Sequence, residues 1–262
     1  MNRMKSLEES VVLSMDGTDI RLFPFIPYIL QDTWEIGSDP SVIIRLIVKH
    51  IENVADRKML DLGCGKGVVS VRTAQALNCR CLGIDALAAF IEEANRKAVE
   101  YHVEHLCTFE TGDIRIMINT LPKFDMIILG STGPVLGDYF STLTSLSKCL
   151  EKNGIIIIDD GYVESTGNFT HPSILRKELI LKQIENARMQ LIDEVIIPSE
   201  DIRRADITIF RDLKNRCEEL MDLYPDQRQL FADYIRKQEE ESYILENEVV
   251  CSTMVLKRQQ DG

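Results

Sequence analysis

Three glycines and a nearby acid are the residues of this chain whose types and spacing best suit ligand binding. Gly63, Gly65 and Gly67 fall within five residues, and Asp61 precedes them inside the apolar run MLDL. Glycine lets the backbone turn sharply and approach a ligand closely, because it has no side chain to intervene. A carboxylate at the same place favours a ligand that carries a positive charge. The pattern therefore predicts a turn that binds a cationic ligand.

Two common glycine-rich turns are excluded by the neighbouring residues. A dinucleotide turn has the spacing G-x-G-x-x-G and needs a glycine where this chain has Val68. It also places a pyrophosphate at the start of the next helix, where Asp61 would repel it. A P-loop needs Ser or Thr after its lysine, whereas Gly67 follows Lys66. S-adenosylmethionine, which combines an ammonium group with an adenosine, suits both the acid and the glycines.

The segment DLGCGKG, residues 61–67, resembles the first motif of the class I S-adenosylmethionine-dependent methyltransferases. The resemblance covers residues 58–161 strongly and residues 191–258 by topology only. It implies a Rossmann-like sheet with S-adenosylmethionine as the cofactor. Asp85 lies 22 residues after Gly63 (85 − 63 = 22), where an acid accepts hydrogen bonds from both ribose hydroxyls.

The other positions of the motif follow in order along the chain. Asp113 matches the residue that binds the adenine amino group, and Gly130 with Ser131 matches the position that contacts the methionine end. The resemblance thus assigns cofactor binding to Asp61, Gly63, Cys64, Gly65, Gly67, Asp85, Ala86, Asp113, Ile114, Gly130 and Ser131. Structural alternatives remain at each place, namely a helix cap at Asp85, a turn at Asp113 and a tight turn without ligand at the glycines.

Alternating strand-like and helix-like segments are predicted to position these residues. Apolar runs typical of strands occupy 58–63, 80–86, 107–113, 124–131, 155–161, 191–198 and 248–258. Helical patterns lie at 68–78, 87–102, 140–154, closed by Gly154, and 172–189. Continuous runs such as IIIID suit central parallel strands, because both faces of such strands are buried. The predicted fold is α/β, a doubly wound, seven-stranded and mostly parallel sheet of the Rossmann-like methyltransferase type.

Two segments depart from this alternation and are predicted to cover the binding edge. The predicted domains are an N-terminal helical and aromatic cap (1–50), a cofactor-binding core (51–198), a helical lid insertion before the last strand (199–247), and the last strand with a C-terminal tail (248–262). Tyr28 and Trp34 are predicted to help close the cofactor site, since an aromatic face attracts a cation. The alternatives are that these aromatics form the core of the cap and that the insertion contacts no ligand.

Methyl transfer from a sulfonium is an in-line displacement, so the protein must position the acceptor, exclude water and take up a proton. The candidate proton acceptors are Asp160, Tyr162 and His171, which all follow the fifth strand. A histidine before Pro172, at a predicted helix start, could instead be a solvent-exposed cap residue. No metal site is predicted: Asp159 and Asp160 partly match a magnesium-binding pair of catechol-type O-methyltransferases, but LGSTG supplies no further acid.

The composition and net charge of the chain limit the classes of substrate and partner that it can have. A net charge of −12 argues against a nucleic-acid substrate, as does GSTGP in place of the Pro-Pro-aromatic sequence of base methyltransferases. Seven cysteines without a CxxC pair and without a signal peptide indicate reduced thiols in the cytoplasm. No apolar run approaches the roughly 20 residues of a membrane span. A small-molecule methyl acceptor is predicted; a protein methyltransferase and a catalytically silent cofactor-binding module remain alternatives, and the oligomeric state is open.

Overall fold

The structure is a computed structural model that describes residues 5–165 and 169–259. Its helices are α1 (Leu7–Ser14), α2 (Ile26–Ile29), α3 (Pro40–His50), α4 (Val68–Leu77), α5 (Ala88–Glu100), α6 (Ile114–Met117), α7 (Tyr139–Lys148), α8 (Lys177–Asn186), α9 (Ser199–Leu223) and α10 (Arg228–Asn247). Its strands are β1 (Lys58–Leu62), β2 (Arg80–Asp85), β3 (Cys107–Thr111), β4 (Phe124–Gly130), β5 (Leu150–Tyr162), β6 (Met189–Ile196) and β7 (Val250–Arg258). Short 3-10 turns span Ile20–Phe25 and Pro225–Gln227.

The chain divides into two units. A sheet unit contains residues 35–196 and 251–259, and a helical unit contains residues 5–34 and 197–250. The sequence prediction grouped residues 1–50 as one cap, whereas the division falls after Trp34. Helix α3 belongs to the sheet unit because its apolar face, with Ile43 and Ile47 fully buried, packs against α4.

The seven strands form one sheet in the order β3-β2-β1-β4-β5-β7-β6. Strands β3, β2, β1, β4 and β5 pair in parallel, and β6 pairs with β7 in the antiparallel sense. This confirms the predicted mostly parallel, Rossmann-like sheet. The runs 126–129 in β4 and 155–158 in β5 are buried along their whole length, as expected for central strands covered by helices on both faces.

Two predicted helices of the sheet unit have different limits in the structure. The helix predicted for 140–154 ends at Lys148, and Gly154 lies inside β5 rather than closing the helix. Glycine is required there by packing, because a Cβ would lie 2.7 Å from the carbonyl oxygen of Asp125 on the adjacent strand. The helix predicted from Pro172 begins only at Lys177, so His171 does not cap it.

The helical unit joins the start of the chain to the excursion between β6 and β7. The ring of Phe25 meets the edges of Tyr224 and Phe231 at centroid distances of 5.1 and 5.0 Å. The hydroxyl of Tyr234, in α10, donates a hydrogen bond to the carbonyl oxygen of Met15. These contacts tie two segments nearly two hundred residues apart into one apolar core.

Candidate functional site

The glycine turn connects β1 to α4 at the carboxyl edge of the sheet. Gly63, Gly65 and Gly67 all have positive φ angles, of 70°, 54° and 76°. The N–H groups of Gly63 and Cys64 donate to the carbonyl oxygen of Ile84, so the turn is bonded to the end of β2. Because residues with a Cβ rarely adopt such φ values, three glycines in this turn are a conformational requirement.

The spaces around these glycines differ. A Cβ on Gly67 would lie 2.8 Å from the Cβ of Ala94 and 3.0 Å from the ring of Phe109. A Cβ on Gly63 would lie 2.4 Å from a methyl carbon of Thr132. Gly65 has nothing within 4 Å of that position. Gly67 and Gly63 are therefore confined by packing, whereas the face of Gly65 is open to a ligand.

Asp61 lies beneath this turn. Its side chain is 3% exposed and accepts a hydrogen bond of 2.7 Å from the hydroxyl of Ser70, in the first turn of α4. Burial raises the pKa of Asp61 to about 6, and the hydrogen bond from Ser70 opposes that rise. A buried carboxylate with a raised pKa is stabilised in its charged form by a nearby cation.

Asp85 links the end of β2 to the glycine turn. Its Oδ2 accepts the N–H of Gly65 and its Oδ1 accepts the N–H of Leu87, each at 2.9 Å. Burial raises the pKa of Asp85, and these backbone bonds partly offset that effect. The carboxylate and the open face of Gly65 therefore stand side by side, with Ala86 next along the chain.

Asp113 follows β3 and caps α6. Its carboxylate accepts the backbone N–H of Arg115 and forms a two-pronged ion pair with the Arg115 guanidinium, whose shortest contact is 2.6 Å. That guanidinium lowers the pKa of Asp113. Ile114 is buried behind it. The acid is thus held charged and oriented by Arg115.

Gly130 and Ser131 end β4 beside a short segment that precedes α3. A Cβ on Gly130 would collide with the hydroxyl of Ser38, so any larger residue there requires the Ser38 side chain to move. Ser131 has a φ of 50°, and its N–H donates to the backbone carbonyl of Asp159 in β5. A non-glycine residue in this conformation is uncommon and often occurs at ligand sites.

The three predicted proton acceptors have separate partners. Asp160 accepts a hydrogen bond of 2.9 Å from the hydroxyl of Tyr139 on α7. Tyr162 is fully buried, and its hydroxyl accepts a hydrogen bond from Lys177, which also pairs with Glu194 at 2.8 Å. These contacts brace β5 against its neighbouring elements.

His171 lies apart from both. Its Nδ1 accepts the N–H of Ser173, and its ring stacks on Phe169 at a centroid distance of 6.3 Å. The structure gives Asp160, Tyr162 and His171 no common hydrogen-bonded group among the described residues, so their catalytic role stays a prediction.

Tyr28 and Trp34 belong to the helical unit. The hydroxyl of Tyr28 donates to Glu219 at 2.7 Å, and Glu219 also pairs with Arg216. Arg216 completes the network through a two-pronged ion pair with Asp32. The predicted contact of the two aromatics with the cofactor is not tested by these interactions and stays a prediction.

Sequence reasoning assigned Ser131 to the cofactor but gave no role to Thr253, the second hydroxyl residue beside Asp159. Thr253, on β7, donates to Asp159 at 3.0 Å, and the Ser131 hydroxyl lies 3.5 Å from the same carboxylate. In the sequence, this site was indicated only by the pair of acids, Asp159 and Asp160, at the end of an apolar strand. Thr253 lies 94 residues further on, so its proximity follows from strand order alone.

No group of three or more His, Cys, Asp or Glu side chains suited to a metal ion occurs in the part of the chain that the structure describes. Within the same residues, no helix is both long and apolar enough to cross a membrane.

Comparison with known proteins identifies a matching family and relatives of part of the chain. The sequence pattern of a family described as "Methyltransferase domain" matches residues 53–248. The sterol 24-C-methyltransferase of Candida albicans is 28% identical over 116 residues, which is 41% of this chain and 30% of that protein. The ribosomal protein L11 methyltransferase of Thermosipho africanus is 26% identical over 140 residues, which is 52% of this chain and 46% of that protein. The matches thus span less than half the length of both relatives.

A solved structure shows the same fold. The SAM-dependent methyltransferase of Geobacter sulfurreducens, crystallised with S-adenosyl-L-homocysteine, superposes with a TM-score of 0.73 at 16% identity. The superposition covers 90% of this chain and 98% of the other.

Proposed function

The chain belongs to a family of methyltransferase domains, and from this premise we propose that it binds S-adenosylmethionine and transfers its methyl group to a small molecule. One observation carries the proposal. The face of Gly65 is open, and its N–H is bonded to the buried carboxylate of Asp85. Together they place a carboxylate beside an open stretch of backbone, which suits the hydroxyl groups of a ribose.

The remaining residues fit the other parts of this cofactor. Asp113, fixed by Arg115, would accept the adenine amino group, and the buried Ile114 would contact the ring. Asp61 supplies negative charge beneath the turn, which suits the ammonium group. Gly130 and Ser131 would lie against the methionine end. The cofactor, when bound, supplies an electrophilic methyl group on a positively charged sulfur.

The protein's own part in such a reaction is to hold the cofactor and to fix its orientation. The glycine turn fixes one end of the ligand through a backbone that is itself bonded to β2, so little conformational entropy is lost on binding. Asp85 is held by two N–H groups and does not need to reorganise. This preorganisation favours a single ligand orientation, which an in-line displacement requires.

The acceptor is proposed to be a small molecule because one relative is a sterol methyltransferase and the net charge of −12 disfavours nucleic acid. The match to a ribosomal protein L11 methyltransferase favours a protein acceptor as the second candidate. A cytoplasmic location is proposed on the number and spacing of the cysteines.

The test is calorimetric titration with S-adenosylmethionine and with S-adenosylhomocysteine. Wild-type protein should bind both saturably, and Asp85→Asn should weaken both by about tenfold to a hundredfold, since hydrogen bonds to a charged group are lost. The matched control is Asp125→Asn. It also removes one carboxylate, but at the start of β4, at the edge of the sheet opposite to Asp85, where Asp125 pairs with Arg57. Absence of binding by folded wild-type protein would refute the proposed cofactor.

A further inference from the structure

Asp159 is a largely enclosed carboxylate surrounded by hydroxyl groups. Thr253 donates to its Oδ1 at 3.0 Å, and the Ser131 hydroxyl lies 3.5 Å from its Oδ2. Burial raises the pKa of Asp159, while the neighbouring hydroxyls of Ser38, Thr253 and Ser131 act in the opposite direction. The nearby charge that acts on it, Asp39, is also negative. The surroundings thus favour a cation or a proton beside Asp159.

Strand register places the Asp159 carboxylate at the same edge of the sheet as the glycine turn. Leu62 pairs with Leu129, and Gly130 pairs with Asp159, so Gly63, the first residue after β1, follows at the level of Gly130 in β4 and Asp159 in β5. Residues in register on parallel strands share a face of the sheet. With strands about 4.8 Å apart, the backbones of Gly63 and Asp159 are separated by about 10 Å.

The neighbouring acid is on the other face. Side chains alternate along a strand, so Asp160 projects opposite to Asp159, toward Tyr139 on α7. Gly130 pairs with Asp159 in the strand register, and Ser131, where the backbone leaves the strand with a φ of 50°, places its hydroxyl beside Asp159 rather than Asp160. Ser131 connects the predicted methionine-binding position directly to Asp159.

We propose that Asp159 faces the methyl group to be transferred and receives the proton of an amine or hydroxyl acceptor. The inference rests on the proposed function, because the methyl position is defined by a cofactor seated on the glycine turn. It differs from the sequence prediction, which assigned proton transfer to Asp160, Tyr162 or His171.

The balance of the step is simple. The acceptor nitrogen or oxygen forms a bond to the methyl carbon, and the carbon–sulfur bond breaks with its electron pair remaining on sulfur. The proton of the acceptor passes to the Asp159 carboxylate. The positive charge of the sulfonium and the negative charge of the Asp159 carboxylate are both neutralised in this step. An ionised carboxylate also stabilises the sulfonium before transfer.

The proposed position of Asp159 beside the transferred methyl group can be tested without knowing the acceptor. Sinefungin carries an amine at the position of the transferred methyl, whereas S-adenosylhomocysteine has no group at that position and its sulfur is uncharged. A carboxylate facing that position should bind the ammonium group of sinefungin. Asp159→Asn should therefore lower the affinity for sinefungin by about tenfold or more, as expected for the loss of a charge-assisted hydrogen bond. Its affinity for S-adenosylhomocysteine should change less than threefold. Both affinities are measured by calorimetry.

Asp125→Asn is the matched control, since it removes one carboxylate from the far edge of the sheet and should alter neither affinity. Circular dichroism verifies folding, and Asp159→Ser is the second variant if the asparagine variant does not fold. An equal change for both ligands, or none for sinefungin, would overturn the role of Asp159 while leaving the cofactor proposal intact. No binding of S-adenosylhomocysteine by the wild type would overturn both.

Discussion

Gly65 and Gly67 have similar backbone conformations but different surroundings, so they separate ligand binding from folding. Both have positive φ, which costs an alanine about 1 kcal/mol or slightly more. An added Cβ at Gly67 also meets Ala94 and Phe109, whereas an added Cβ at Gly65 meets open space. Packing therefore requires glycine at position 67, whereas at position 65 it leaves room for the proposed ligand.

We therefore expect Gly67→Ala to lower the free energy of unfolding by about 2–4 kcal/mol, combining strain with overpacking. Gly65→Ala should cost only about 1–2 kcal/mol but abolish calorimetric binding of S-adenosylhomocysteine. Urea unfolding supplies the stabilities, and the two variants serve as each other's control. Equal losses of stability would contradict this division of roles.

At this scale the sequence predicts identities better than contacts. The positions of Asp61 near the end of β1, of the glycines in the turn and of Asp85 at the end of β2 could be predicted, because turns and strand ends are local features. The bonds of Asp85 to Gly65 and of Asp159 to Thr253 could not, since each depends on how distant strands align. His171 was a reasonable candidate by residue type, but its contacts with Ser173 and Phe169 are local.

The elements of the sheet unit are joined by ion pairs as well as by apolar packing. Asp193, on β6, pairs with Lys49 at 2.7 Å and with His50 at 2.6 Å, at the end of α3. The hydrogen bonds from Lys49 and then His50 lower the pKa of Asp193 to about 2. Its side chain is 15% exposed, so the pairing connects an edge strand to a helix in a partly enclosed place.

A pKa lowered in the folded state adds stability that is full above the ordinary value and is lost as pH falls toward 2. We expect Asp193→Asn to lower the free energy of unfolding by about 1–2 kcal/mol at pH 7 and by clearly less at pH 2.5. Urea titrations at both pH values measure the difference. Asp226→Asn, at an exposed carboxylate, should show no such pH dependence; an Asp193 effect independent of pH would contradict this explanation.

The strands were easier to predict than the helix limits. Continuous apolar runs identify β4 and β5 because both of their faces are buried. The start of α8 at Lys177 could not be read from the sequence, because Pro172 suggested an earlier beginning. The start of β5 at Leu150 was hidden by polar residues 151–153, which are exposed in the structure.

At the scale of the whole molecule, the division into two units has a thermodynamic consequence. The residues proposed to hold the cofactor, apart from Tyr28 and Trp34, lie in the sheet unit. A ligand that binds only folded protein stabilises it by about 2.7 kcal/mol at a hundred times its dissociation constant. This stabilisation should act on the unfolding of the sheet unit.

We expect S-adenosylhomocysteine at that concentration to raise the Tm of the wild type by about 5–10 °C in scanning calorimetry, given about 2–4 °C for each kcal/mol in domains of this size. If two transitions are resolved, the transition of the sheet unit should shift more. Asp85→Asn, which we expect to bind about ten to a hundred times more weakly, should show about half of that shift or less at the same concentration. A shift of equal size in that variant would mean that the ligand binds elsewhere.

The order of strands in the sheet also bears on how the protein is made. Strand β7 lies between β5 and β6, although it is the last of the seven to be synthesised. While the ribosome is translating α9 and α10, β5 has no permanent neighbour on one side, and β6 has none at all. Thr253 reaches Asp159 only after this final strand has been inserted. A nascent chain can therefore complete its glycine turn early, yet it acquires the full environment of Asp159 only near the end of its synthesis.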